Sequence, residues 1–230
     1  MKSDQFQRTI LLLGKDGFEH LQQAHITVVG CGAVGGFAVE ALARAGIKNL
    51  TLIDGDTVES SNINRQLCAL HSTLGQYKTL VLRKRILDIC PEVKVTTHET
   101  FLHADNARAL LSTDTNYIID AIDSIPDKVV INLYAKQNHI PLISSMGAAM
   151  RTDPNQIKIA PLNQTSVCPL AARMRKLVKT QGGNLSVPCV FSTESPAGTQ
   201  MPGRQMGSLV TLTGIFGLIL ANEVIKRIAK

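Results

Sequence analysis

The chain has 230 residues, 44% of them hydrophobic and 18% charged, and a net charge of +6. That is enough for one large core, or one core with a small appendage, and it excludes a disordered polyelectrolyte. No arginine-flanked apolar leader opens the sequence, which argues against secretion.

Residues 5–24 read as short helical segments broken at Gly14 and Gly17. The apolar run Ile26–Val29 predicts a strand, Gly30-Cys31-Gly32-Ala33-Val34-Gly35 a tight turn, and residues 33–45 a helix. Leu50–Ile53 closes a βαβ unit that should pair in parallel. Residues 76–90 have helical periodicity stopped by Pro91, and Val93–Thr97 is β-rich. A short helix over 106–111 precedes a buried strand over 117–123. A crossover helix over 124–138 and a strand over 141–144 follow.

After Gly147 the pattern changes. Ile157–Ala160 and Val187–Ser192 look like antiparallel additions, and Pro169–Thr180 like a basic helix. Residues 194–207 form a turn-rich loop expected to move over a site. The apolar stretch 209–225 is interrupted by Thr211, Thr213, Gly214, Gly217 and Asn222, so a buried helix is expected there rather than a membrane span.

The fold class is therefore α/β: a Rossmann-like, mostly parallel sheet with an antiparallel C-terminal extension and a buried C-terminal helix. Residues 1–150 make the nucleotide-binding region and 151–230 the extension, within one continuous domain.

Cys31, Cys68, Cys90, Cys168 and Cys189 form no C-x-x-C pair, so a four-cysteine zinc site is not supported. They suit a reducing cytoplasm, each as a small core residue, with Cys168 the more exposed by its loop context.

Three glycines, Gly30, Gly32 and Gly35, fit a turn that brings backbone N–H groups and a helix dipole toward a phosphate. Asp54 ends the second strand, where it can accept ribose hydroxyls. Asn62 and Arg65 follow at a spacing that shares one face of a helical turn, and Lys78 comes thirteen residues later. An amide, a bidentate guanidinium and a flexible ammonium together make a clamp for a triphosphate. Asp123 should face the same crevice; a carboxylate beside a triphosphate calls for Mg²⁺ between them. Asp120 is read as a structural acid and Asp127 as an early-helix residue favoured by the dipole.

Charge is uneven. Residues 151–230 carry ten Lys or Arg against Asp153, Glu194 and Glu223, whereas residues 1–150 are nearly balanced. Arg173, Arg175, Lys176 and Lys179 cluster on the basic helix. With Arg151, Lys158 and Arg204 they are the expected holders of a polyanionic substrate.

These motifs, with Leu52–Val58, Asn62–Gln66, Gly75–Lys78 and Asp120–Ser124, resemble the E1-like activating enzymes over about the first 150 residues. Within that superfamily, residues 64–70, 140–149, 153–157, 168–171 and 190–194 resemble the tRNA threonylcarbamoyladenosine dehydratases almost end to end. Cys68 stands where that group commonly has histidine and Cys168 where it has aspartate, and the segment after Glu194 is shorter.

The resemblance implies adenylation of a carboxylate by ATP with Mg²⁺. Asp54 would take the ribose, Asn62, Arg65 and Lys78 the phosphates, and Asp123 the metal. It also implies tRNA as substrate, a homodimer in which Arg8 reaches the neighbouring site, and no membrane. A sulfur-relay protein partner is left open. The alternative is adenylation of the C-terminus of a ubiquitin-like sulfur carrier.

Overall fold

A computed structural model describes residues 4–197 and 206–230. Helix α1 (Gln7–Gln23) bends at Gly14, whose φ is 78°. Gly17 does not break it; there, the absent side chain admits the Ala229 carbonyl, which a Cβ would meet at 2.9 Å. Strand β1 (His25–Val29), helix α2 (Gly35–Ala45), β2 (Asn49–Ile53), α3 (Lys78–Ile89) and β3 (Lys94–His98) follow. The alternation continues through α4 (Ala107–Leu110), β4 (Tyr117–Asp120), α5 (Ile125–Gln137) and β5 (Leu142–Ser145). Next come β6 (Ile157–Pro161), α6 (Pro169–Thr180), β7 (Pro188–Ser192) and α7 (Val210–Ile228).

All the strands lie in one sheet of order β3-β2-β1-β4-β5-β7-β6. Only β6 and β7 pair antiparallel. The β6–β7 pair is the expected antiparallel C-terminal extension, and it joins the sheet through β7, which runs parallel to β5 with Ser144 opposite Cys189. Both faces are covered, as a parallel sheet requires. Ile26, Val28, Leu50, Leu52 and Ile119 pack on one side, while Val29, Ile53 and Ile118 pack on the other. That period-two alternation is the strand pattern written into the sequence.

Helix α7 packs along α2. A Cβ on Gly217 would stand 2.2 Å from the Val34 carbonyl, so only glycine permits this approach. The helix is buried on one side only, since Leu218 and Val210 are about half exposed. No helix among the described residues is long and apolar enough to cross a membrane.

The strand order reverses between β1 and β4. The loops leaving their carboxyl ends diverge there and open a crevice, the usual ligand position in such sheets.

Candidate nucleotide-binding site

A cavity of about 910 Å³ occupies that crevice. Its walls include Gly30, Gly32, Asp54, Arg65, Lys78 and Asp123, so residues far apart in sequence meet in one place. Gly30 has φ 90°, and a Cβ on it would stand 2.8 Å from the Ala121 backbone. Gly35 is behind the wall: a Cβ there would fall 1.8 Å from the Gly30 carbonyl oxygen. These two glycines close the turn. Gly32 faces the cavity with nothing nearer than 3.7 Å to such a Cβ, leaving room for a ligand against the backbone. The start of α2, with its partial positive charge, borders the same space.

Asp54 is 8% exposed. One carboxylate oxygen accepts the Cys31 N–H at 2.6 Å and the other the Asp56 N–H at 2.8 Å. Burial pushes its pKa up, while the two N–H groups and Lys78 pull it back. Each oxygen retains acceptor capacity toward the cavity.

Lys78 is buried, and its Nζ lies 2.6 Å from Asp56 Oδ2. Arg65 is half-buried; its Nη1 donates to the Ser61 carbonyl at 2.8 Å and to Asn64 Oδ1 at 2.9 Å, which aims the guanidinium along the wall. Asn62 does not join them. Its Oδ1 accepts the Glu59 N–H at 3.2 Å and caps the 3-10 turn Ser60–Asn62, leaving the side chain beneath the wall. Asn64 and Gln66 line the cavity instead. The signal for this was the local Glu59–Asn62 spacing, which favours a self-capped turn.

Strand β4 ends at Asp120, earlier than residue 123. Asp123 is an exposed loop residue on the cavity wall. Asp120 is fully buried and accepts Lys128 Nζ at 2.9 Å and the Ser144 hydroxyl at 2.6 Å. This buried ion pair lies under Ala121 and Ile122, which form cavity floor. Asp127, in the first turn of α5, accepts the Ser124 hydroxyl at 2.5 Å and lies 3.0 Å from His103 Nδ1.

All five thiols are buried and free, including Cys168 at 2% exposure, which corrects its expected loop exposure. Burial pushes Cys31 well above the usual thiol range, Cys68 to about 11 and Cys189 to about 12, so thiolate is disfavoured.

On α6, Ala171, Met174 and Val178 face the core while Arg173, Lys176 and Lys179 are exposed. Arg175 is half-buried and donates to the Thr165 carbonyl at 2.8 Å, a tether for the preceding turn. Arg151 is buried at 3% and donates to the carbonyls of Glu194, Gly147 and Ala149. It braces the cavity wall from behind, and this corrects its assignment to a polyanion surface. Lys158 is exposed, and Arg204 lies outside the described residues. Arg8 is exposed on α1, outside the cavity of its own chain.

The ThiF family profile matches residues 6–230. The chain belongs to the ThiF family. Within this family it is 37% identical to tRNA threonylcarbamoyladenosine dehydratase of Escherichia coli K12, over 96% of this chain and 92% of that one. It is 41% identical to the enzyme of the same name from Bacillus subtilis 168, over 84% and 76% of the two chains. The structure superposes with TM-score 0.92 and 39% identity on the Escherichia coli dehydratase crystallised with ATP, covering 98% of this chain and 94% of that one. The ThiF-family match thus includes the basic C-terminal region as well as the glycine turn.

Proposed function

We propose that this chain is an ATP-dependent tRNA threonylcarbamoyladenosine dehydratase. It activates the threonyl carboxylate of the modified adenosine as an acyl-adenylate and closes it into a ring with net loss of water. The observation that carries this reading is the meeting of the glycine turn, Asp54, Arg65, Lys78 and Asp123 on one cavity. The near full-length match to a dehydratase solved with ATP supports it.

The chemistry needs positioning more than a protein nucleophile. A substrate carboxylate oxygen attacks the α-phosphorus of ATP, the α–β bridging bond breaks, and pyrophosphate leaves with the electron pair. The neighbouring carbamoyl group then attacks the acyl carbon, and AMP leaves as the ring closes. Arg65 and Lys78 offset charge on the phosphates, and Asp54 orients the ribose. Asp56, already on Lys78, holds that ammonium in place until phosphate shares it. The disfavoured thiolates fit a route with no covalent enzyme intermediate.

Asp123 fits Mg²⁺ as a single carboxylate, because this ion commonly takes one or two carboxylates plus phosphate and water. No cluster of three metal-binding side chains occurs among the described residues, so the phosphates would supply much of the ion's shell.

Mass spectrometry of tRNA incubated with protein, ATP and Mg²⁺ tests the assignment. The threonylcarbamoyladenosine nucleoside should lose one water, and Arg65→Ala should abolish the product. AMP formation driven by a carrier protein ending in Gly-Gly, with the tRNA unchanged, would assign the chain to carrier adenylation instead.

The active unit is proposed to be a homodimer. Helix α1 presents Leu11 and Leu12 at 79% and 82% exposure beside exposed Arg8, an apolar surface with a cation at hand for a second copy. Arg8→Ala and Arg65→Ala proteins, each inactive alone, should recover about a quarter of wild-type turnover after equal mixing, because half the dimers then hold one intact site. Verified hybrids without recovery would sink the crossed arginine.

Exposed Arg173, Lys176 and Lys179 are proposed to hold the tRNA backbone. Helix α6 starts at the cavity, where Leu170 forms part of the wall, so its basic face continues from the crevice. Neutralising Lys176 and Lys179 should lower the salt slope of tRNA binding by about two, with ATP affinity unchanged. An unaltered slope in filter-binding titrations would leave the helix as a solvated face. Arg175 is assigned to the Thr165 tether rather than to tRNA.

A further inference from the structure

A second cavity, of about 400 Å³, opens at the amino ends of β4, β5 and β7, opposite the nucleotide crevice. Tyr117, Leu142 and Pro188, the first residues of those strands, contribute to its wall. Lys136, His139 and Arg227 surround it, and its lining contains no carboxylate. Glu223 acts on Tyr117 from nearby, and its carboxylate is already 3.0 Å from Lys226 Nζ.

Tyr117 is the second observation. It is 3% exposed and lines this cavity, and its hydroxyl, which makes no hydrogen bond to the described residues, meets solvent there. A hydroxyl open to a cavity is free to donate to a ligand there. Burial, foremost, raises its pKa, and Arg227 acts in the opposite sense, so the neutral phenol is a donor beside a guanidinium. Lys136 Nζ donates once, to the Gly182 carbonyl at 2.6 Å, and keeps two N–H groups. His139, at φ 56°, is the left-handed residue that ends α5, where the Ile140 N–H reaches the Ala135 carbonyl at 2.9 Å, and this helix end sets His139 beside the cavity.

We propose that this cavity is an anion site for a compact phosphate group, bound by Tyr117, Lys136, His139 and Arg227. The chemistry favours phosphate because it offers several strong acceptor oxygens to the donors on this wall, where exposed Lys136 and Arg227 supply two cations to one small cavity. The volume suits a small phosphorylated molecule or a phosphate projecting from a larger one. The site is independent of the nucleotide crevice and of the reaction proposed for it.

The test is a titration of the full chain with inorganic pyrophosphate, read by NMR at Tyr117 and His139. Those resonances report this cavity separately from Gly32 in the crevice. Saturable shifts at both are expected, and Lys136→Gln with Arg227→Gln should weaken that binding at least about tenfold. Tyr117→Phe should weaken it about threefold or more. Binding at Gly32 should be unchanged in all three proteins. Still resonances at Tyr117 and His139 while Gly32 responds, or equal affinity in the double variant, would overturn the proposal. Displacement of the bound pyrophosphate by tRNA would identify a backbone phosphate as the source; persistence of binding with tRNA present would identify a free small molecule.

Discussion

Lys128→Met should remove about 3–5 kcal/mol of stability, the range expected when one partner of a buried ion pair is deleted. Total stabilities of about 5–15 kcal/mol make that a large fraction. Lys128 and Asp120 are both fully buried, and the ammonium also donates to the Ile122 carbonyl at 3.0 Å. Deleting it leaves Asp120 as a buried anion with only the Ser144 hydroxyl and a 3.3 Å contact from the Ile122 N–H. Urea denaturation followed by circular dichroism reads the loss. Asp120→Asn added to Lys128→Met should return much of it by removing the stranded charge. A single-variant loss under about 1 kcal/mol would mean the carboxylate relaxes without its partner.

Gly35→Ala should abolish nucleotide binding while Gly36→Ala leaves it intact. A methyl at position 35 would sit 1.8 Å from the Gly30 carbonyl oxygen and 2.9 Å from its carbon, both backbone atoms that cannot rotate away. The turn must open, which misplaces Gly32 and the start of α2 together. At position 36, the second residue of α2, the nearest atom is 3.6 Å away, an ordinary contact, so alanine is accommodated there without displacing the turn. Calorimetric titration with ATP separates the two: a fall of at least about a hundredfold is expected for Gly35→Ala, equivalent to losing 2.7 kcal/mol or more. Equal affinity in the two variants would show that the turn tolerates displacement.

The sheet was readable because its strands alternate. Ile26, Val28 and Val29, or Leu50, Leu52 and Ile53, divide between two cores by position alone. The glycine turn, Asp54, Arg65, Lys78 and Asp123 were readable as cavity residues because each lies at a strand end, a turn or a helix start. Long polar side chains were harder. Whether Arg151, Arg175 or Lys128 reaches solvent depends on distant groups, such as the Glu194 carbonyl, 43 residues from Arg151. Local sequence contains no such information. Asn62 was hard for the opposite reason: its Oδ1 is engaged by the neighbouring Glu59 N–H, a local contact that the clamp spacing did not signal. The parallel pairing of β7 with β5 was hidden because a crossover through α6 had to be recognised before its partner was known.

The contact between Gly217 and Val34 sets an order of events during synthesis. Val34 borders the nucleotide crevice, yet the surface it leans on belongs to α7, translated after every other element described. At about 5–20 residues per second, α2 emerges on the order of ten seconds before that support exists. In the interval its buried residues Ala38, Val39 and Leu42 lack their final cover. A nascent chain stalled before α7 should therefore recruit chaperones and fail to retain ATP. Translation of the last helix, not of the glycine motif, starts the clock on ligand binding.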